Sequence, residues 1–228
     1  MKNHTIVFDL DGTLIDSAPD VCRALNRTLV PYGRRSHDVE ETKGYLGQGA
    51  RVLMEMALRK TGDVPPVDVI ESLTTAFLAD YAANPVVDSV IFPGVINALT
   101  ELRGRGAKLA ICTNKPSITT MPVLEMLALD SYFEAIVCPD HVENRKPHGD
   151  HVRATIEAVD GDIGQSIMIG DSENDIDAAI DAGIPSIAVT FGYAHRAHDE
   201  LGATVLIAHF DALVDTIESI FQKQRDTV

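Results

Sequence analysis

The chain has 228 residues, enough for one large α/β domain or for a medium domain with a smaller insert. At 45% hydrophobic and 23% charged residues its composition is globular, and no apolar run approaches the roughly 20 residues of a membrane helix. A net charge of −15 argues against nucleic acid or an anionic membrane surface as partner, because phosphate backbones are gripped by clustered Lys and Arg, whereas a small anionic substrate needs only local positive charge.

The first five residues pass directly into an apolar run with no signal region, which predicts a cytoplasmic protein. Residues 6–8 form the first buried strand, and Asp9-Leu10-Asp11-Gly12-Thr13 follows at its exit. An ordinary Asp-Gly turn wants one Asp and one Gly, so the first carboxylate, set against apolar neighbours, asks for a compensating partner such as a cation.

From residue 16 to about residue 87 helical spacing dominates and no strand is predicted. Leu25 and Leu29 share one helix face, and Ile70, Leu73, Phe77 and Tyr81 share another, so this block carries its own apolar seam. Asp16-Ser17-Ala18-Pro19 leads into it, and Asn84-Pro85 and Phe92-Pro93-Gly94 lead out, two neighbouring crossings of the kind a hinged cap uses.

Beyond the block, short apolar runs at 108–112, 135–138, 167–169, 186–189 and 204–207 read as buried parallel strands. Helical patterns fill the gaps, with Val95, Leu99 and Leu102 on one face and further segments near 117–128, 149–159, 173–182 and 210–223. The alternation predicts an α/β fold: a doubly wound, mainly parallel, Rossmann-like sheet made by residues 1–15 and 88–228, with residues 16–87 inserted as a small helical cap. Ligands in such sheets sit at the carboxyl ends of the strands.

Four strand exits carry polar residues that converge there: Asp9 and Asp11; Thr113-Asn114-Lys115; Lys146 in Asn144-Arg145-Lys146-Pro147; and Gly170-Asp171-Ser172-Glu173-Asn174-Asp175. Singly each has a plain structural explanation, since Thr-Asn makes turns, a lone Lys is usually solvated and Asp171 is placed to cap a helix. Their joint order at successive strand exits points instead to a phosphoryl-handling site. Three cysteines, Cys22, Cys112 and Cys138, are too far apart in sequence for a disulfide framework or a paired-cysteine zinc site. Cys138, His141, His148 and His151 have spacing too irregular for zinc, and His195 and His198 read as solvated loop residues.

These four segments, with the helical block after the first, resemble the haloacid dehalogenase-like superfamily of phosphohydrolases over nearly the whole chain. Leu46-Gly47-Gln48-Gly49-Ala50, Cys112 to Pro116, Asn144 to His148 and Gly170 to Ile176 are most similar to its phosphoglycolate phosphatases. One departure is Gly149, where that group often has Pro after Lys-Pro-His, which is expected to loosen a helix start.

The resemblance implies an Mg2+-dependent phosphatase acting on a small phosphate monoester, most closely 2-phosphoglycolate. It implies that Asp9 is the nucleophile and forms an aspartyl-phosphate, and that Asp11 shuttles the proton. Lys146 then neutralises charge, and Thr113 and Asn114 orient the phosphoryl group. The Asp9 carboxylate, the Asp11 carbonyl and the Asp171 carboxylate hold Mg2+, with Asp175 in support. In the cap, Lys43 and Arg51 near the glycine loop are candidate receptors for a substrate carboxylate. The same core residues would serve another capped phosphatase, a pyrophosphatase or a phosphosugar mutase. A metal-free dehalogenase is disfavoured by Asp11 and Asp171, and a non-catalytic phosphate-binding module by Asp11 and the cap.

Overall fold

The computed structural model describes residues 1–226. The chain opens with β1 (Thr5–Phe8), whose residues are fully buried, and then a two-residue strand β2 (Ile15–Asp16) leads into four helices. These are α1 (Ala18–Leu29), α2 (Val39–Lys43), α3 (Ala50–Thr61) and α4 (Val67–Ala83). The chain returns through β3 (Val90–Ile91), which pairs antiparallel with β2 and ties the two crossings into a ribbon. Two residues on each side are too few for an alternation pattern to register, and the ribbon is absent from the sequence reading for that reason.

The core then alternates helix and strand. Its elements are α5 (Val95–Gly104), β4 (Lys108–Cys112), α6 (Ser117–Met126), β5 (Ala135–Val137), α7 (Gly149–Glu157), β6 (Ser166–Gly170), α8 (Glu173–Ala182), β7 (Ser186–Val189), β8 (Val205–Ile207) and α9 (Leu213–Asp226). The six strands form one parallel sheet in the order β5-β4-β1-β6-β7-β8. This is the doubly wound α/β sheet expected from the alternation. From the central strand β1 the chain winds first to one side and later to the other, so the crevice at the carboxyl end of β1, between β4 and β6, is the switch point where such folds bind ligands.

In the insert, α1 packs on α4 and α2, and α4 also meets α3 and the core helix α6. On α4 the buried residues are Ile70, Thr74, Phe77 and Tyr81. Leu73, placed on that seam by spacing, is only partly buried, and Thr74 takes the inner position by bonding its hydroxyl back to the Ile70 carbonyl at 2.7 Å.

The crossings are anchored by Asp20 of α1, whose buried carboxylate accepts hydrogen bonds from the amides of Val87, Asp88 and Ser89 and from the Ser89 hydroxyl at 2.7 Å. Three donors in a row from the returning segment fix where it re-joins the sheet.

Gly149 opens α7 with its N–H bonded to Asp181 at 2.6 Å, and a Cβ there would fall 2.5 Å from the Ala182 amide nitrogen. A proline lacks that donor and that room. The glycine therefore fastens α7 to α8 rather than loosening the helix start. No helix is long and apolar enough to cross a membrane among the described residues.

Candidate active site

The site begins with the termination of β1. The Asp9 amide still bonds across the sheet to the Ile169 carbonyl at 2.9 Å, so Asp9 is the last residue held in register and its side chain emerges at the sheet edge. The chain then turns through Gly12, whose φ of +86° suits glycine. A Cβ on Gly12 would lie 2.5 Å from Asp171 Oδ2, so the turn also needs glycine to let the first strand exit approach the exit of β6.

There, Asp171 is buried and accepts from the Thr13 hydroxyl at 3.0 Å and from the Tyr193 amide at 2.6 Å. It does not cap α8. Ser172 does, in a reciprocal box with Asp175, whose Oδ2 accepts from the Ser172 amide and hydroxyl at 3.0 and 2.9 Å.

Asp175 Oδ1 accepts from Lys146 Nζ at 2.6 Å, and the same ammonium donates to the Cys112 carbonyl at 2.6 Å. Lys146 Nζ also stands 2.9 Å from Asp9 Oδ1, an ion pair aligned too poorly to be a hydrogen bond, so Asp9 Oδ1 is buried without one. Lys146 thus lies between two carboxylates with its side chain only 1% exposed. Burial opposes its charge, but Asp175 and Asp9 outweigh that and hold its pKa above the ordinary lysine value.

Asp9, Asp171 and Asp175 each offer a carboxylate oxygen, and these oxygens lie within 4.8 Å of one another. Burial is the main reason the Asp9 pKa rises to about 7. Lys146 works against the rise, while Asp175 and Asp11 add to it. Asp171 is likewise pushed well above the ordinary carboxylate range by burial and then by Asp175 and Asp9. Crowded buried carboxylates of this kind, with hard oxygen donors only, fit a small divalent cation such as Mg2+, which would offset the repulsion raising their pKa values.

Asp11 lies apart from that cluster. Its Oδ1 accepts from the Ser17 hydroxyl at 2.5 Å, and both its oxygens accept from Lys115 Nζ, at 3.0 and 3.2 Å. Lys115 also donates to the hydroxyl of Tyr81, on α4, at 2.8 Å. The Thr113 hydroxyl accepts from the Lys115 amide at 3.1 Å and keeps its own proton to donate. Asn114 Nδ2 donates to the carbonyls of Gly47 and Lys146 at 2.9 and 3.0 Å, which ties the glycine loop of the insert to the core.

Asp9, Asp11, Thr113, Asn114, Lys146 and Asp175 line one cavity that encloses about 560 Å3, open mouth included, roofed by Leu46, Gly47, Gly49, Phe77 and Tyr81. Asp171, within 4.8 Å of Asp9 through their carboxylate oxygens, does not itself line the cavity. Lys43 and Arg51 do not line the cavity: Lys43 bonds Glu40 at 2.7 Å, and Arg51 approaches Glu55 at 3.9 Å on the exposed side of α3.

Lys115, Tyr81, Thr13, Ser17 and Tyr193 have no site role in the sequence reading. Lys115 and Thr13 belong to segments already singled out, and Tyr193 follows the exit of β7, a strand end worth the same scrutiny. Tyr81 reads as seam by its spacing, and only its hydroxyl betrays a second use.

The histidines and cysteines near the site have structural partners. His151 is fully buried, accepts from the Lys146 amide at Nδ1 and donates from Nε2 to the Val137 carbonyl, 3.1 Å away, which defines a neutral tautomer. Burial and then Lys146 lower its pKa to about 4. The folded state therefore binds this proton less readily than the unfolded chain, so stability is lost as pH falls from about 6.5 towards 4, by on the order of 3 kcal/mol. Denaturant melts across that window should show the loss, and a His151→Gln variant should show less of it. Cys112 is buried with its thiol pushed up to about 12, chiefly by burial, so it is a core side chain and no thiolate.

A parallel sheet with a buried carboxylate cluster and lysine at its switch point, roofed by a helical insert, defines an α/β enzyme built to handle anions. The chain belongs to the haloacid dehalogenase-like hydrolase family, whose model matches residues 6–189. It is 43% identical over 213 residues to a phosphoglycolate phosphatase of Agrobacterium fabrum, covering 92% of this chain and 91% of that one. A crystal structure described as a predicted phosphoglycolate phosphatase from Haemophilus somnus superposes with a TM-score of 0.88 at 26% identity, covering 95% of this chain and 98% of the other. The crystal structure of CbbY from Rhodobacter sphaeroides in complex with phosphate gives 0.81 at 25% identity, covering 94% and 97%.

Proposed function

We propose that this chain is an Mg2+-dependent phosphatase that hydrolyses 2-phosphoglycolate to glycolate and phosphate, with residues 16–87 acting as a cap over the site. The observation that carries this reading is Asp9: a buried carboxylate at the switch point, 2.9 Å from the Lys146 ammonium and beside a second aspartate, Asp11, held separately. The similarity to curated phosphoglycolate phosphatases supports the choice of substrate.

The Asp9 and Asp171 carboxylates and the Asp11 carbonyl would hold the metal, which supplies positive charge against the phosphoryl oxygens and the crowded carboxylates. Asp9 attacks phosphorus, a bond forms from its oxygen to phosphorus, and the bond from phosphorus to the glycolate oxygen breaks. Asp11 gives that oxygen its proton. A water then attacks the aspartyl-phosphate while Asp11 takes a proton from it; the bond from the Asp9 oxygen to phosphorus breaks, phosphate leaves, Asp9 returns as a carboxylate and Asp11 returns to its protonated starting form. Lys146 stays charged throughout and stabilises the phosphoryl oxygens near Asp9, and the Thr113 hydroxyl donates to one of them. Asn114 holds the glycine loop of the cap in place, which keeps water out of the closed site.

Purified protein should release inorganic phosphate from 2-phosphoglycolate with Mg2+, and EDTA should abolish release until Mg2+ is restored. No release from this ester under saturating Mg2+, or release that EDTA leaves unchanged, would reject the proposal.

A further inference from the structure

The carboxylate of the proposed substrate needs a cation inside the cavity, because a second anionic group placed near Asp9, Asp11 and Asp175 meets repulsion on three sides. Among the described residues that line the cavity the cations are Lys146 and Lys115. Lys146 is committed to Asp175, Asp9 and the Cys112 carbonyl. The exposed Arg145 lies over Gly49, outside the cavity, and Lys43 and Arg51 face their glutamates.

Lys115 differs in its partners: its three donors go to the two Asp11 oxygens and to the Tyr81 oxygen, so it brings positive charge to the cavity wall but no unused donor. The Tyr81 hydroxyl accepts from Lys115, so its own proton is free to be donated elsewhere. That proton and the Lys115 ammonium sit in a buried place, with the Lys115 side chain 5% exposed and Tyr81 2% exposed. Lys115 comes from the exit of β4 and Tyr81 from α4, so the pair exists only where the insert rests on the core.

We propose that Lys115 and Tyr81 together receive the carboxylate of a phosphate ester, the lysine by its charge and the tyrosine by its hydroxyl, and so set substrate specificity. This rests on the reading of the site as a phosphatase. It moves carboxylate recognition from the outer face of α3 to the joint between core and insert. It also makes recognition dependent on closure, because a substrate without the second anion leaves the buried Tyr81 proton unpaired when the insert closes.

The test compares kcat/KM for 2-phosphoglycolate and for ethyl phosphate, which has a methyl group where the carboxylate stands. Wild type should prefer the first by about 100-fold or more. Lys115→Met should lower the first at least about tenfold more than the second. Tyr81→Phe, which keeps the lysine beside Asp11, should raise KM for 2-phosphoglycolate roughly 3- to 10-fold and leave that for ethyl phosphate close to wild type. Thermal melts of both variants check folding.

If wild type prefers 2-phosphoglycolate and the preference survives in both variants, the receptor is rejected and the proposed function stands. Equal losses on both esters in Lys115→Met, with Tyr81→Phe unchanged, would mean that Lys115 acts only through Asp11, and would also reject it. If wild type hydrolyses ethyl phosphate but not 2-phosphoglycolate, the substrate assignment falls and takes the receptor with it.

Discussion

Replacing Asp9 with Asn should reduce kcat by at least about 10^4-fold, because an amide in that position has no anionic oxygen to attack phosphorus. The loss should be chemical and not structural. Burial and neighbouring carboxylates disfavour the Asp9 charge, with a pKa of about 7, so above that pH the neutral amide relieves repulsion within the cluster. The melting temperature of the metal-free Asp9→Asn protein at pH 8 should therefore equal or exceed that of wild type. Mass spectrometry of acid-quenched wild type should detect a chain heavier by one phosphoryl group, and the variant should never show it. Asp11→Asn should fail differently, with the nucleophile intact but no proton for the leaving oxygen and no base for the hydrolytic water. A variant at Asp9 that turned over at wild-type rates would remove that residue from the mechanism.

Lys146→Met should produce the largest combined loss. The ammonium lies 2.6 Å from Asp175 and 2.9 Å from Asp9, and removing it leaves two buried carboxylates facing each other. Breaking a buried ion pair by deleting one partner costs roughly 3–5 kcal/mol, on the order of 10 °C in melting temperature for a chain of this size. The deficit should shrink as pH falls, since protonation removes the unpaired charges. Catalysis should fall as well, by more than about 10^3-fold, because the attack of one anion on another loses its fixed positive neighbour. Melts from pH 8 to pH 5 beside phosphate-release assays would check both halves, and a pH-independent stability deficit would show that the lysine contributes packing only.

The strand exits were legible in the sequence because each is a local pattern: a short apolar run, then polar residues where side chains leave the sheet. Asp9, Asp11, Thr113 and Asp171 stand at such exits, whereas Lys146 lies in the loop between β5 and α7. The helical insert was legible for the same reason, as a long break in the strand rhythm bounded by Asp16-Ser17-Ala18-Pro19 and Phe92-Pro93-Gly94. Lys43 and Arg51 lie where a local pattern carries least. They lie near the glycine loop in sequence, but helical geometry turns Arg51 to the outside of α3, and each faces a glutamate of its own helix. Proximity along the chain says nothing about which side of a helix faces the cavity.

By itself the sequence determined the α/β alternation, the insert and the order of the polar residues at the strand ends, since these follow from backbone periodicity and nearest-neighbour chemistry. Only the tertiary structure decided which of those residues act as partners. Asp11 meets Lys115 across 104 positions, Lys115 meets Tyr81 across 34, and Asp171 meets Thr13 across 158. Such contacts exist because β4 and β6 lie on either side of β1 and α4 rests on α6, an arrangement set by burying the sheet and the insert together. No local pattern records it.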